Sequence, residues 1–310
     1  MKSLVLLSLP KLSLFLAGLL GIAYTSACVA LYLRQTRMLF LPSPVIETTP
    51  AAYSLRYEEV WIPVRQDRRQ DRHQDSASEK LHGWWIPNRS TDAPVLLLLH
   101  GNAINIGANL GQAARFHSLG FSVLLADYRG YGRSEGGFPN EQQAYQDAEA
   151  MWHYLTVDRQ ISPSQIVIYG HSLGGAIGIE LATHHSDAAA LLVESSFTSI
   201  REMVDRTMPF GIFPIDLLLT QRFNSIQKVA TLQVPVLFIH GLNDQRTFSD
   251  MSEALYSAAP EPKQLYWVAA AGHNDVAEVA GDDYFETIRN FLQSKTTLLR
   301  TSLKHESGHS

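Results

Sequence analysis

The sequence has only one cysteine, Cys28, among its 310 residues. A single thiol excludes an intrachain disulfide framework and a zinc site built on several cysteines. The chain also lacks a basic surplus, since 25 Lys and Arg stand against 30 Asp and Glu and give a formal net charge of -5. A protein that tracks nucleic-acid phosphates carries excess positive charge, so we expect no nucleic-acid partner.

Charge is missing altogether from one stretch near the N-terminus. No Asp, Glu, Lys or Arg occurs from Leu12 to Leu33, and Lys11 and Arg34 flank this run. About 20 apolar residues span the hydrocarbon core of a bilayer, whereas the apolar part of a cleaved signal peptide has about 7–15. We therefore predict that residues 1–34 form a single-pass membrane anchor, with a cleaved signal sequence and a secreted protein as the alternative. Basic residues on both sides leave the orientation open.

Three further segments are predicted from composition. Residues 35–54 contain three prolines and are predicted to form a linker. Two strands are predicted at 55–64 and 80–87, and the polar run at 65–80 between them is predicted to be a solvated insertion because its opposite charges nearly cancel. The polar tail at 296–310 is predicted to be flexible.

Beyond residue 94, short runs rich in Val, Ile and Leu alternate with helical patterns. This alternation predicts an α/β fold, a mostly parallel sheet with helices on both faces. An irregular apolar segment at 197–228 interrupts the alternation and is predicted to form a short cap over the carboxyl edge of the sheet. The predicted strands are Val95–Leu99, Phe121–Ala126, Gln165–Tyr169, Ala188–Val193, Val234–Ile239 and Gln264–Val268. The predicted helices are Asn140–Thr156, Leu173–His185, Asp250–Ala259 and Tyr284–Ser294.

A G-x-S-x-G motif, centred on Ser172, lies directly between a predicted strand and a predicted helix. In that context the serine occupies a sharp turn that only the flanking glycines Gly170 and Gly174 allow. Its hydroxyl is then exposed at a helix N-terminus, where the helix dipole favours developing negative charge. The placement favours Ser172 as a nucleophile over an ordinary turn residue.

A serine hydroxyl needs a base and an orienting carboxylate to become a good nucleophile. His273 follows the last predicted strand, at the sheet edge where functional loops gather, and its strongest rival is His240, beside a glycine at a strand end. Asp244 lies on the preceding loop, in the chain order serine, aspartate, histidine that this motif uses. Glu194 and Asp127 are the alternatives to Asp244, although Asp127 is better explained as a loop-fixing residue.

Two N–H groups must face the oxyanion of the tetrahedral intermediate. We assign one to Leu173, directly after the nucleophile, and the other to Asn102, on the loop after the strand Val95–Leu99. Ala103 is the alternative to Asn102. No cluster of His, Asp and Glu has the spacing of metal ligands, so neither a metal nor a cofactor is expected.

Five motifs in order, HGN, DYRGYGRSEG, YGHSLGGA, HGLND and GHND, resemble the α/β-hydrolase superfamily over about residues 55–295. The sequence is most similar to membrane-anchored serine hydrolases that also resemble serine aminopeptidases and acyl-protein thioesterases. The resemblance implies an esterase, lipase or thioesterase with Ser172, Asp244 and His273 as its triad. It departs from many relatives after Asp244, where Gln245–Phe248 replace an acidic residue followed by proline, and this difference bears on substrate choice.

These observations predict hydrolysis of a carboxylic ester or thioester through an acyl-enzyme, on a lipid or acylated protein near a membrane. An aminopeptidase or amidase with the same triad is one alternative, because Glu202, Asp205 and Asp216 in the predicted cap offer carboxylates for the free amine of a peptide. A membrane-tethered scaffold without catalysis is the other, since a fold alone does not guarantee activity.

Overall fold

A computed structural model describes residues 9–64, 79–207 and 211–295 of the chain. The predicted insertion at 65–80 lies outside these residues except for its last two positions, and the predicted tail at 296–310 lies wholly outside them.

Strands and helices alternate along most of the described chain. The strands are β1 (Leu41–Pro42), β2 (Glu58–Pro63), β3 (Lys80–Ile86), β4 (Val95–Leu99), β5 (Ala103–Ile104), β6 (Ser122–Ala126), β7 (Ile166–His171), β8 (Ala190–Glu194), β9 (Val236–Gly241) and β10 (Lys263–Val268). The helices are α1 (Leu9–Leu39), α2 (Leu110–Ser118), α3 (Glu141–His153), α4 (Leu173–His184), α5 (Ile200–Thr207), α6 (Ile215–Leu218), α7 (Ser225–Val229), α8 (Ser249–Ala258), α9 (Val276–Ala280) and α10 (Asp282–Lys295).

Eight of the strands form one sheet in the order β10-β9-β8-β7-β4-β6-β3-β2. Strands β2 and β3 are antiparallel to their neighbours, and the pairs from β6 through β4 to β10 are parallel. The predicted mostly parallel sheet is therefore confirmed. Because the carboxyl ends of the parallel strands meet at one edge, the loops that follow them are brought together there.

Alternate residues of the central strands pack under different helices. Leu97 of β4 belongs to the core beneath α3, α4 and α8, whereas Leu96 and Leu98 belong to the core beneath α2 and α10. Every residue of β4 is buried, as a strand covered on both faces requires. Helix α2 was not among the predicted helices, and Gly107 and Gly111 near its start weaken the helical pattern there.

Helix α1 has 31 residues, and its most apolar window has a mean hydropathy of 2.0. At 1.5 Å per residue it is about 46 Å long, which exceeds the hydrocarbon core of a bilayer of about 30 Å. Length and composition suit a membrane span, and a signal sequence meets the same test. The membrane anchor itself stays a prediction.

The segment predicted as a linker, residues 35–54, begins with helix and strand instead. Residues 35–39, which we expected in a linker, continue the helix, because the first proline comes only at Pro42. Strand β1 then pairs in parallel with β5, in the loop after β4, with Leu41 opposite Ala103. The helix is thus joined to the rest of the molecule by a short paired segment rather than by a long free linker.

Candidate active site

Ser172 stands at the turn between β7 and α4, as the motif predicts. Its backbone has φ 55° and ψ -118°, a conformation that side-chain-bearing residues rarely adopt and that is typical of functional positions. A Cβ at Gly170 would lie 2.2 Å from the carbonyl oxygen of Gly174, and one at Gly174 would lie 2.0 Å from that of Leu99. The two glycines therefore let β7, α4 and β4 approach closely enough to form this turn.

The structure brings Ser172, His273 and Asp244 into one hydrogen-bonded chain. His273 Nε2 lies 3.1 Å from Ser172 Oγ, and His273 Nδ1 lies 2.7 Å from Asp244 Oδ2. Because a carboxylate only accepts, Nδ1 carries the proton, which leaves Nε2 free to accept the proton of the serine. The side chain of Asp244 is fully buried, whereas the His273 side chain keeps 10% of its surface exposed.

Asp244 is held in its ionised form by its neighbours. Its Oδ1 accepts hydrogen bonds from the backbone N–H groups of Arg246 at 2.8 Å and Thr247 at 3.0 Å. Burial by itself would raise the pKa of the Asp244 carboxyl, but hydrogen bonds from His240, His273 and Thr247 outweigh burial and hold this pKa well below its usual range. The Asp244 carboxylate is therefore ionised at neutral pH.

Two further histidines, each beside a glycine at a strand end, contact the residues of this site. His171 Nε2 donates to the carbonyl oxygen of His273 at 2.9 Å, and burial together with the charge of His273 lowers the pKa of His171 to about 4. His240 Nε2 lies 3.2 Å from Asp244 Oδ2 and donates to the carbonyl oxygen of Thr247 at 3.0 Å. Both histidines stand beside a glycine in the sequence motifs, and this position is the signal from which their place near the site could have been predicted.

Thr247 was not singled out from the sequence, although it stands in the segment that departs from the family pattern. Its hydroxyl oxygen lies 2.8 Å from Asp244 Oδ2, 3.1 Å from His273 Nδ1 and 2.9 Å from the carbonyl oxygen of Ser195. It is buried, so its contacts restrict the positions of both the aspartate and the histidine.

The alternative carboxylates have other contacts. The carboxyl of Glu194 accepts a hydrogen bond from the hydroxyl of Tyr284 at 2.6 Å, and burial raises its pKa to about 7. Asp127 Oδ1 accepts a hydrogen bond from the backbone N–H of Ile106 at 2.9 Å, which is the loop-fixing contact expected from the sequence. Asp244 is thus the carboxylate that the structure places on His273.

The loop assigned to the oxyanion lies beside Ser172. The backbone carbonyl of Asn102 accepts from the hydroxyl of Tyr131 at 2.7 Å and from the N–H of Leu41 at 2.8 Å. The N–H of Leu173 opens α4 and belongs to the first turn, whose N–H groups have no acceptor within the helix. Leu173, Asn102 and Ala103 all line one cavity with Ser172, so the choice between Asn102 and Ala103 stays a prediction.

This cavity has a volume of about 340 Å³ and is lined mostly by apolar side chains. Ser172 and His273 line it together with residues of α1 and of the cap, residues 197–228. The described residues of the cap form three short helices where the sequence indicated an irregular segment.

The three cap carboxylates that could bind a peptide amine are paired with arginines. Arg201 binds Asp205 and donates to Asp216 Oδ1 at 2.8 Å, while Arg206 donates to Glu202 Oε1 at 2.5 Å. None of these carboxylates is among the described residues that line the cavity. Within 9–64, 79–207 and 211–295, moreover, no group of three or more His, Cys, Asp and Glu side chains is placed to hold a metal ion.

Comparison with known proteins points to one superfamily. Residues 91–226 match a family model described as serine aminopeptidase, S33. An uncharacterized protein of Mycobacterium tuberculosis is 33% identical over 91% of this chain and 95% of its own length. The alpha/beta hydrolase domain-containing protein WAV2 of Arabidopsis thaliana is 30% identical over 84% of this chain and 87% of its own length. An esterase of Pyrococcus furiosus has a similar fold, with a TM-score of 0.66 and 21% identity over 82% of this chain and 99% of the esterase.

Proposed function

Because this chain belongs to the α/β-hydrolase superfamily, we propose that it is a serine hydrolase that cleaves a carboxylic ester or thioester through Ser172, His273 and Asp244. One observation carries the proposal. A continuous hydrogen-bonded chain runs from Ser172 Oγ through His273 to the buried carboxylate of Asp244, and Ser172 and His273 line a largely apolar cavity.

The geometry accounts for acylation. His273 Nε2 removes the Ser172 proton as Oγ attacks the carbonyl carbon, and Asp244 stabilises the imidazolium that forms. The N–H groups of Leu173 and Asn102 donate to the oxyanion, supported by the N-terminal end of α4. When the tetrahedral intermediate collapses, the bond from the carbonyl carbon to the leaving oxygen or sulfur breaks, and His273 gives its proton to the departing alkoxide or thiolate.

Deacylation repeats these steps with water. His273 takes a proton from a water molecule whose oxygen attacks the acyl carbon, and the bond between that carbon and Ser172 Oγ breaks. Ser172 recovers the proton from His273, and the carboxylic acid is released. Each residue thereby returns to its starting state.

The lining of the cavity supports an acyl substrate over a peptide. A free amine needs an available carboxylate, and the cap carboxylates Glu202, Asp205 and Asp216 are already paired with arginines. We therefore favour a lipid or acylated protein at a membrane, with α1 as a single-pass anchor and no nucleic-acid partner. The aminopeptidase or amidase and the scaffold without catalysis are the alternatives.

Labelling with a fluorophosphonate tests the proposal, because this probe reacts with activated serines. The full chain in detergent micelles should be labelled and should hydrolyse p-nitrophenyl acetate, and Ser172→Ala should lose both properties. Ser90→Ala, in the turn before β4, is the matched control and should retain both. Equal labelling of the wild type and Ser172→Ala would exclude this mechanism, and faster turnover of aminoacyl amides than of acyl esters would favour the peptidase.

A further inference from the structure

Helix α1 forms part of the cavity that contains Ser172. Leu31, Gln35, Met38 and Leu39 line this cavity together with Ser172 and His273. Leu31, Gln35 and Leu39 are four residues apart and half-buried, so they share one face of the helix. Leu33, two residues from Leu31, is 67% exposed and points away from that face. One side of α1 is therefore a wall of the active-site cavity.

Hydrogen bonds hold this wall to the cap. Gln35 Nε2 donates to the carbonyl oxygen of Leu218 at 3.0 Å, and Gln35 Oε1 accepts from the backbone N–H groups of Thr220 at 2.7 Å and Gln221 at 3.2 Å. At the other end of the wall, the side chain of Asn102 donates to the carbonyl oxygen of Leu39 at 2.7 Å. The helix is thereby joined to both the cap and the loop beside the nucleophile.

The cap also contacts α1 within the uncharged segment of that helix, Leu12–Leu33. The hydroxyl of Tyr24 donates to the carbonyl oxygen of Ile212 at 2.9 Å, and the rings of Tyr24 and Phe213 stack with their centroids 5.6 Å apart. Tyr24 precedes Arg34 by ten residues, which is about 15 Å along a helix. Ile212 is 73% exposed and Leu217 is 82% exposed. If α1 crosses a bilayer, the part of the cap around Ile212 and Phe213 lies at the depth of the hydrocarbon core of that bilayer.

The cavity also extends along α1 into the uncharged segment. From Leu39, near Ser172, to Leu31, inside the uncharged segment, the lining of α1 extends about 12 Å along the helix. Met203, Ile215 and other apolar cap residues line the same space. Because Ser172 and Leu31 line the same mostly apolar space, this space suits an acyl chain whose carbonyl lies at Ser172 and whose methyl end lies toward the bilayer.

We infer that the substrate carries a long acyl chain, which enters from the bilayer between α1 and the cap and lies against Leu31 and Met38. This inference rests on the proposed function, because it places the scissile carbonyl at Ser172. It gives α1 a second role, since the predicted anchor also determines which acyl chains the enzyme accepts. The shared chemistry is a long-chain acyl ester or thioester, whether its source is a membrane lipid or an acylated protein.

A pair of substitutions at the same depth tests the inference. Leu31→Trp fills the cavity, and Leu33→Trp adds the same side chain to the exposed face of α1. The full chain in lipid nanodiscs is assayed with p-nitrophenyl esters from acetate to palmitate. Because each excluded methylene loses a favourable apolar contact, Leu31→Trp should lower kcat/KM for palmitate roughly tenfold or more relative to acetate. Leu33→Trp should keep the wild-type ratio.

The outcomes separate the inference from the proposed function. If Ser172→Ala keeps its esterase activity, the proposed function fails. If activity depends on Ser172 but Leu31→Trp and Leu33→Trp have the same chain-length profile, only the role of α1 is excluded. Fluorophosphonate labelling of Leu31→Trp tests whether its site is intact, and Leu31→Ala, which does not fill the cavity, should not reproduce the tenfold loss.

Two natural types of substrate then identify the source of the acyl chain. Long-chain monoacylglycerol in the nanodisc represents lipids, and a palmitoyl-cysteine peptide represents acylated proteins. Selective loss of either activity in Leu31→Trp supports the inference and assigns that source. If Leu31→Trp cleaves both as fast as Leu33→Trp does, no acyl chain lies along this wall.

Discussion

Around Ser172 the loops at the carboxyl edge of the sheet, residues 100–102, 171–173, 242–248 and 269–275, are fixed by directional hydrogen bonds, whereas the wall of the cavity formed by α1 and the cap is mainly apolar. Asp244 alone contacts two backbone N–H groups, one hydroxyl and two imidazoles. The wall formed by α1 and the cap depends on the hydrogen bonds of Gln35 and Tyr24 and on side-chain packing. Under the proposed function, the first region carries the chemistry and the second the selectivity, because hydrogen bonds specify atomic positions and apolar packing specifies shape.

The largest effect is expected where the directional contacts are densest. Asp244→Asn removes the charge that stabilises the imidazolium of His273 and that orients the ring, so kcat for p-nitrophenyl acetate should fall on the order of 10⁴-fold. Steady-state kinetics of the full chain in detergent micelles measures this change. Asp187→Asn, at an exposed position before β8, should behave as the wild type.

A small loss in Asp244→Asn would reverse the assignment. If kcat stays within about tenfold of the wild type, another carboxylate orients His273, and Glu194 becomes the residue to replace. The test therefore decides between Asp244 and Glu194.

An intermediate effect is expected from Thr247→Val, which keeps the shape of the side chain and the backbone N–H but removes the hydroxyl beside Asp244 and His273. A buried hydrogen bond to a charged group contributes about 1.5–3 kcal/mol, so kcat should fall roughly ten- to hundredfold with little change in KM. Thr231→Val, at an exposed position, is the control. A raised KM with normal kcat would instead place the hydroxyl on the substrate, since Thr247 also lines the cavity.

The same contrast explains what could be predicted from the sequence. The strand Val95–Leu99 was predicted with its observed bounds because a short, fully buried strand is a continuous apolar run between turn residues. Ser172 is also identified by local signals, since its turn requires two nearby glycines. The placement of Asp244 on His273 followed from chain order and loop position, although their contact forms only in the folded sheet.

The α1 wall could not be predicted in this way. The prolines after residue 34 indicated a linker, and an apolar helix has the same composition whether lipid or protein covers it. The contact of Gln35 with Leu218 joins residues 183 positions apart, and no local pattern encodes such a pairing. A cavity wall that depends on long-range packing is therefore less visible in a sequence than Ser172, Asp244 and His273 are.

The smallest effect is expected from Gln35→Leu, which removes the hydrogen bonds between α1 and the cap while keeping an apolar helix. Partly exposed hydrogen bonds contribute about 1 kcal/mol in total, so KM for p-nitrophenyl palmitate should rise about threefold to fivefold while kcat for the acetate changes little. Gln142→Leu, on the exposed side of α3, is the matched control and should have wild-type kinetics. An equal loss for both esters in Gln35→Leu would mean that α1 positions the catalytic loops through Leu39 and Asn102, and the separation of chemistry from selectivity would then be wrong.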